Sequence, residues 1–247
     1  MTRIYVPHLV FSVEHANSFF LDGDAAHHLL NVLRCRVGEL VTLFDGHSGE
    51  YQTEIIHKEK KRVQLKLIEH FNIQRESPLS IHLIQSVSKG DRMDFVVQKA
   101  VELGVNRITP VITQHGAVKV DPNRLLKKVE HWQQIAVHAC EQCGRNTIPT
   151  IDNVMSWDEM LTMPSDLSVH SWILHPRNSV TVNTQQSITK ARLLIGPEGG
   201  FSEQEVIQAS KADYTAITLG PRILRTETAT LAAVTMLQTF FGDLING

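Results

Sequence analysis

Two styles of hydrophobic patterning divide the chain. Up to about residue 77 the apolar positions form short runs: Arg3 to Val6, Leu40 to Phe44, Tyr51 to Ile56 and Arg62 to Ile68. Turns at Asp22-Gly23, Asp45-Gly46 and Gly49 bound them, so short strands at hairpin spacing predict a small β-barrel. One helix interrupts, with Asp24 as cap and Leu29, Leu30 and Leu33 on the apolar face of Ala25 to Leu33. Asn72 to Pro78 is polar and ends in proline. The boundary is therefore expected there: residues 1–72 as one domain, 73–78 as linker, 79–247 as a second domain.

From Ile81 onward the period alternates between strand and helix. Ile81 to Val87 is a strand, Asp91 caps a helix to about Leu103, and Arg107 to Val111 is the next strand. Met93, Val96, Val97 and Ala100 give that helix its buried stripe. Strand, helix, strand at this spacing is a βαβ unit and implies a parallel pair. Asp121-Pro122 opens a long helix to about Cys143, with Leu125, Val129, Trp132, Ile135, Ala136 and Ala139 at helical spacing. Trp157 to Leu161 is a short helix, and Val169 to Leu174, Arg192 to Ile195 and Ala216 to Leu219 are strands. Ser202 and Glu205 stand at capping-box spacing, and Thr226 is the expected N-cap of an apolar closing helix. The fold class is α/β.

Composition narrows the picture. The 247 residues are 42% hydrophobic, enough for a real core, and the net charge of −2 does not announce nucleic acid. An RNA partner would need a local basic surface. No apolar run reaches the ~18 residues of a membrane span, and the N-terminus lacks the pattern of a signal peptide. Three cysteines, an odd number, argue against a disulfide framework and for a cytoplasmic protein. His27 and His28 lack further ligands at metal spacing, and the lone C-x-x-C at Cys140 and Cys143 reads as structural thiols, so no metal is expected. The charge run His57 to Arg62 reads as a solvated hairpin turn.

The chemistry concentrates where strands stop. Gly196-Pro197-Glu198-Gly199-Gly200 follows one strand and Gly220-Pro221 another, each before a helix. The spacings of dinucleotide and P-loop motifs are both absent. These glycines could simply make turns. Two such turns close together, with Glu198, Arg222, Arg225 and Glu227 around them, favour a ligand crevice at the carboxyl ends of the strands. His175-Pro176-Arg177, after Leu174, is a third turn of this kind.

GPEGGFSEQEV followed by LGPRILRTETA resembles the C-terminal signature of the ribosomal RNA small subunit methyltransferase E family, within the SPOUT methyltransferases. HHLLNVLRCRVGE, LFDGHSGEY, SVSKGDRMDFVVQKAVELGV and HACEQCGRNTIP extend the match over most of the chain. The resemblance implies an N-terminal PUA-like RNA-binding β-barrel plus a C-terminal SPOUT α/β domain with a deep trefoil knot at about 170–235. General topology disfavours knots, so only the resemblance predicts this one. It implies S-adenosylmethionine held by three loops: Leu174 and His175; Gly196, Glu198, Gly199 and Gly200; Leu219, Gly220, Ile223, Leu224 and Arg225. Ile223 and Leu224 would sandwich adenine.

The implied reaction methylates N3 of a specific uridine in 16S rRNA of the small ribosomal subunit. The N3 proton must leave and charge on the flanking carbonyls must be stabilised. Glu198 and Glu227 are candidate bases and Arg225 a candidate stabiliser. Glu198 could equally order its loop, and Glu227 could be a helix N-terminal charge. Arg3, Arg34, Arg36, Lys89 and Arg92 are the candidate RNA contacts, although ordinary exposed arginine is the alternative for the first three. Glu141, Gln142 and Arg145 are expected to face the site or a dimer partner. The closing helix with Phe240 and Phe241 is the expected homodimer interface, or else plain core. The stretch ITQHGAVKV departs from the family by lacking an arginine near His115, with Lys119 as the substitute. Two other readings stay open: a non-catalytic RNA-binding SPOUT-like protein, and a SPOUT enzyme methylating another rRNA or tRNA position.

Overall fold

A computed structural model of the chain describes residues 2–7, 9, 18–88, 90–116, 122–164, 166–176, 180–185 and 187–245. Lys89, Lys119, Asp121 and Arg177 lie outside the described residues. Two compact units emerge: Met1–Glu76 with Cys140–Ile148, and Ser77–Ala139 with Pro149–Gly247. Among the described residues no helix is long and apolar enough to cross a membrane.

The first unit is built on β1 (Thr2–Tyr5), β2 (Ser18–Leu21), β3 (Leu40–Phe44), β4 (Glu50–Lys58) and β5 (Val63–Phe71). Their order is β1-β3-β4-β5-β2, parallel between β1 and β3 and otherwise antiparallel. Among the described residues β1 and β2 end the sheet and do not pair with each other. Alternate side chains of these strands, Ile4, Val41, Leu43, Ile55, Val63 and Leu65, form the core with Leu21 and Leu29. The expected single helix is two pieces: α1 (Gly23–His27) and a π-helical turn over His28–Val32. Leu33 N–H bonds the His28 carbonyl at 2.9 Å, five residues back. That wider turn moves Leu33 off the face of buried Leu29 and leaves it 43% exposed. Asp24 is not the cap; Asp22 holds that position, without a side-chain hydrogen bond.

The second unit is a parallel sheet of β6 (Ser80–Ser86), β7 (Arg107–Ile112), β8 (Thr150–Ile151), β9 (Met155–Ser156), β10 (His170–Leu174), β11 (Lys190–Ile195) and β12 (Thr215–Ile217). The order is β12-β10-β11-β6-β7-β8, with β9 also on β7. Both later strands thus flank β10. The helices are α2 (Arg92–Glu102), α3 (Pro122–Cys143), α4 (Trp157–Leu161), α5 (Glu203–Lys211) and α6 (Thr226–Phe241). The stripe Met93, Val96, Val97 and Ala100 is buried, and α2 packs on α6. Met93, Val96 and Val97 each contribute roughly 1.5–3 kcal/mol by leaving water. Asp91 holds the N-cap position of α2 but makes no side-chain cap bond.

Toward the amino ends of the strands, β6 carries His82 between Arg192 of β11 and Arg107 of β7. Its Nε2 lies 2.7 Å from Thr109 Oγ1, whose own proton goes to Asp152 Oδ2. His82 Nε2 is therefore the donor. Arg107 Nε donates to the same carboxylate oxygen at 2.8 Å.

Candidate functional site

Three strand ends meet at one cleft of about 830 Å³ within the second unit. Leu174 ends β10 with His175 and Pro176 after it, Ile195 ends β11 with residues 196–201 after it, and Thr218, Leu219 and residues 222–224 follow β12. Glu203, Val206 and Ile207 of α5 and Thr226 and Ala229 of α6 complete the wall. Parallel strands bring their carboxyl ends to one edge, so the crevice follows from the sheet.

Local chemistry fixes each loop. Gly200 takes φ +70°, a left-handed conformation strained for other residues, and its N–H bonds the Pro197 carbonyl at 2.9 Å. A Cβ on Gly199 would stand 3.0 Å from His115 Cβ, so the bare backbone allows the β7 loop to approach. The capping box of α5 is complete. Ser202 Oγ accepts the Glu205 N–H, and Glu205 Oε2 accepts the Ser202 N–H at 2.8 Å. Glu205 Oε1 also accepts the Gln114 N–H at 2.8 Å, tying the β7 loop to the start of α5. The first loop is held by His175 N–H on the Ile217 carbonyl at 2.9 Å.

Thr226 corrects the sequence reading: it is the first residue of α6, and Arg225 holds the N-cap position. Its hydroxyl donates to the Gly196 carbonyl at 2.7 Å and so serves the second loop instead of its own helix.

The cleft gathers Leu174, His175, Gly196, Glu198, Gly199, Gly200, Leu219, Ile223 and Leu224. Ile223 is 91% exposed there, an apolar side chain open to a ligand face. Gly220 and Arg225 do not line it, although Gly220 turns the third loop at φ +89°. Glu227 sits in the first turn of α6 and does not line the cleft either, and its Oε2 is buried without a hydrogen-bond partner among the described residues. Arg92 pairs with Glu198, linking the start of α2 to the second loop. Sequence reasoning missed the α5 wall of Val206 and Ile207. Their place one turn past the Ser202 cap was the available signal.

Arg3 is not the exposed arginine the sequence suggested. It pairs with buried Glu50, donates to Asn146 Oδ1 at 2.9 Å and to the Arg145 carbonyl at 3.2 Å, and lies over the Phe44 ring. Its guanidinium is committed to the first unit. Burial pulls the Glu50 carboxyl upward, but hydrogen bonds from Arg75 and Arg3 outweigh it and hold the group below its ordinary value. Arg145 is also buried, bidentate on Glu76, and Glu141 accepts the Tyr5 N–H at 3.0 Å. Both side chains bond within the first unit. Arg34 and Arg36 are exposed. Burial pushes the Cys140 thiol up to about 12, so it is no nucleophile.

Two family models match the chain. One described as an RNA methyltransferase domain covers residues 75–238, and one described as an RNA methyltransferase PUA domain covers residues 21–68. The ribosomal RNA small subunit methyltransferase E of Buchnera aphidicola subsp. Acyrthosiphon pisum is 36% identical over 91% of this chain and 89% of its own length. That of Bacillus subtilis is 30% identical over 100% of this chain and 99% of its own. The crystal structure of a ribosomal RNA small subunit methyltransferase E from Neisseria gonorrhoeae bound to S-adenosyl methionine matches with a TM-score of 0.87 at 41% identity, covering 99% of each chain. A cleft walled by the very loops that carry the signature, and relatives alike from end to end, lead to one assignment: the chain belongs to the ribosomal RNA small subunit methyltransferase E family.

Proposed function

We propose that this RNA methyltransferase uses S-adenosylmethionine to methylate N3 of a specific uridine in 16S rRNA of the small ribosomal subunit. The observation that carries the reading is the convergence of three strand-end loops on one cleft. Its volume of about 830 Å³ falls in the range that encloses a small organic ligand. The residues fit such a donor. Gly196, Gly199 and Gly200 expose backbone groups, and Ile223 and Leu224 offer apolar surface to adenine. When bound, S-adenosylmethionine supplies an already activated methyl group on a sulfonium.

The chain's own residues then handle the proton and the charge. Glu227 Oε2, buried and unpartnered, accepts the uridine N3 proton. Arg225, two residues earlier, stabilises the charge that develops on the flanking carbonyls. Glu198 is the second candidate base; here its carboxylate is held by Arg92. The target uridine leaves its stack to reach the cleft.

The first unit supplies RNA affinity as a PUA-like barrel, through Arg34 and Arg36, with Lys89 and Arg92 as further RNA contacts. We assign residues 1–72 to the barrel, 73–78 to the linker and 79–247 to a SPOUT domain knotted at about 170–235. The enzyme acts in the cytoplasm as a homodimer through α6. Calorimetry with S-adenosylmethionine, followed by nucleoside mass mapping of 16S rRNA incubated with enzyme and donor, tests the proposal. Donor binding and a single N3-methyluridine are expected. No binding, or methyl on a ribose or in tRNA only, would overturn it.

A further inference from the structure

Behind the cleft runs a chain of buried polar side chains joining β6 to α6. Gln85 at the end of β6 and Thr230 of α6 are 0% exposed, and Thr226 is 4% exposed. The β6 neighbours Leu83 and Ile84 are fully buried apolar residues, and packing alone would be served by another. Instead Gln85 Nε2 donates to Thr226 Oγ1 at 3.1 Å and to the Ser86 carbonyl at 3.2 Å. Thr230 Oγ1 donates to Gln85 Oε1 at 2.7 Å and lies 2.8 Å from the Thr226 carbonyl.

Proton bookkeeping gives this chain a direction. The Thr226 hydroxyl has one proton and spends it on the Gly196 carbonyl. It must therefore accept from Gln85, and only the amide nitrogen can donate. Thr230 faces the amide oxygen and keeps the amide from turning over. The result is a relay from β6 and α6 to the first residue of the glycine loop. Its middle member, Thr226, is also where the third loop enters α6.

We propose that Gln85 is a positioning residue for the donor cleft. By holding the Thr226 hydroxyl on the Gly196 carbonyl, it locks the loop after β11 to the end of the loop after β12. A donor gripping both loops then meets them already in register. Without the amide, the Thr226 hydroxyl loses its donor, the two loops part company, and ordering them falls to the ligand. This inference rests on reading the cleft as the S-adenosylmethionine site.

The test compares Gln85→Leu, Thr226→Val and Thr226→Ser with the unaltered chain. A Leu237→Ala variant of the α6 core serves as a control for stability. Donor affinity is measured by calorimetry, melting temperature without ligand, and steady-state kinetics on 16S rRNA. Gln85→Leu and Thr226→Val should each weaken donor binding at least tenfold, about 1.4 kcal/mol. Their KM for the donor should rise while kcat at saturating donor stays within twofold. Thr226→Ser, which keeps the hydroxyl, should bind within twofold of the unaltered chain. Leu237→Ala should melt earlier with its affinity intact.

Gln85→Leu binding as tightly as the unaltered chain would overturn the inference. So would Thr226→Ser falling as far as Thr226→Val, or affinity simply tracking melting temperature across all four variants. Should Gln85→Leu fail to fold, the Thr226 pair decides alone. Failure of the unaltered chain to bind the donor would instead remove the functional reading itself.

Discussion

Acid should destabilise this protein through His82 before its ordinary carboxylates respond. Burial lowers the His82 pKa from 6.5 to about 4, with the charges of Arg107 and Arg192 adding to the effect and Asp152 opposing it. The unfolded chain gains a proton near pH 6.5, whereas the folded one resists until about pH 4. Between those values the unfolded state binds more protons, so stability falls as pH falls. The contribution is complete above pH 6.5 and is lost on the way down. At 1.36 kcal/mol for each pKa unit, the full loss is about 3 kcal/mol, with a steepest slope of roughly 1.4 kcal/mol per pH unit. That is a large part of the usual stability of a domain. Urea unfolding followed by tryptophan fluorescence from pH 7.5 to 4 measures it. His82→Gln keeps a donor for the Thr109 hydroxyl but cannot take the proton. Its profile should run flatter than the unaltered one over this window. Parallel profiles would refute the argument and show that His82 reaches water or a base when protonated.

Other expectations concern the cleft. Glu227→Gln keeps the shape but removes the proposed base, so kcat on 16S rRNA should fall by about 10²–10⁴ with donor affinity unchanged, as read by quench kinetics and calorimetry. Arg92→Ala frees Glu198 from a partly exposed pair. Stability should change by less than about 1 kcal/mol in urea titration, while the salt dependence of rRNA binding becomes shallower. Glu205→Ala removes both the capping box and the anchor on the Gln114 N–H. A loss of about 2 kcal/mol is expected in the same titration.

Short-range signals carried much of this into the sequence. The Ser202 cap announces α5, and glycines after apolar runs mark where β11 and β12 stop. Signals failed where the deciding partner is remote. Arg3 looked exposed because Glu50, Asn146 and the Arg145 carbonyl are far along the chain. Thr226 looked like a cap because nothing local shows that its hydroxyl belongs to Gly196. Strands β8 and β9 have two residues each, too short for any period to register. The π turn over His28–Val32 breaks the 3.6-residue period that an α-helical count from Asp24 assumes. The placement of β10 between β11 and β12 is a matter of long-range pairing and leaves no trace in periodicity.

That placement has a consequence for the newborn polypeptide. The residues lining the cleft run from Leu174 to Ala229, all at or after the end of β10. While translation continues, β10 waits without either flanking strand, and the glycine loop has no Thr226 hydroxyl to hold it. The cleft therefore cannot close until the chain has been made through Ala229, and a product terminated before that residue lacks part of the wall.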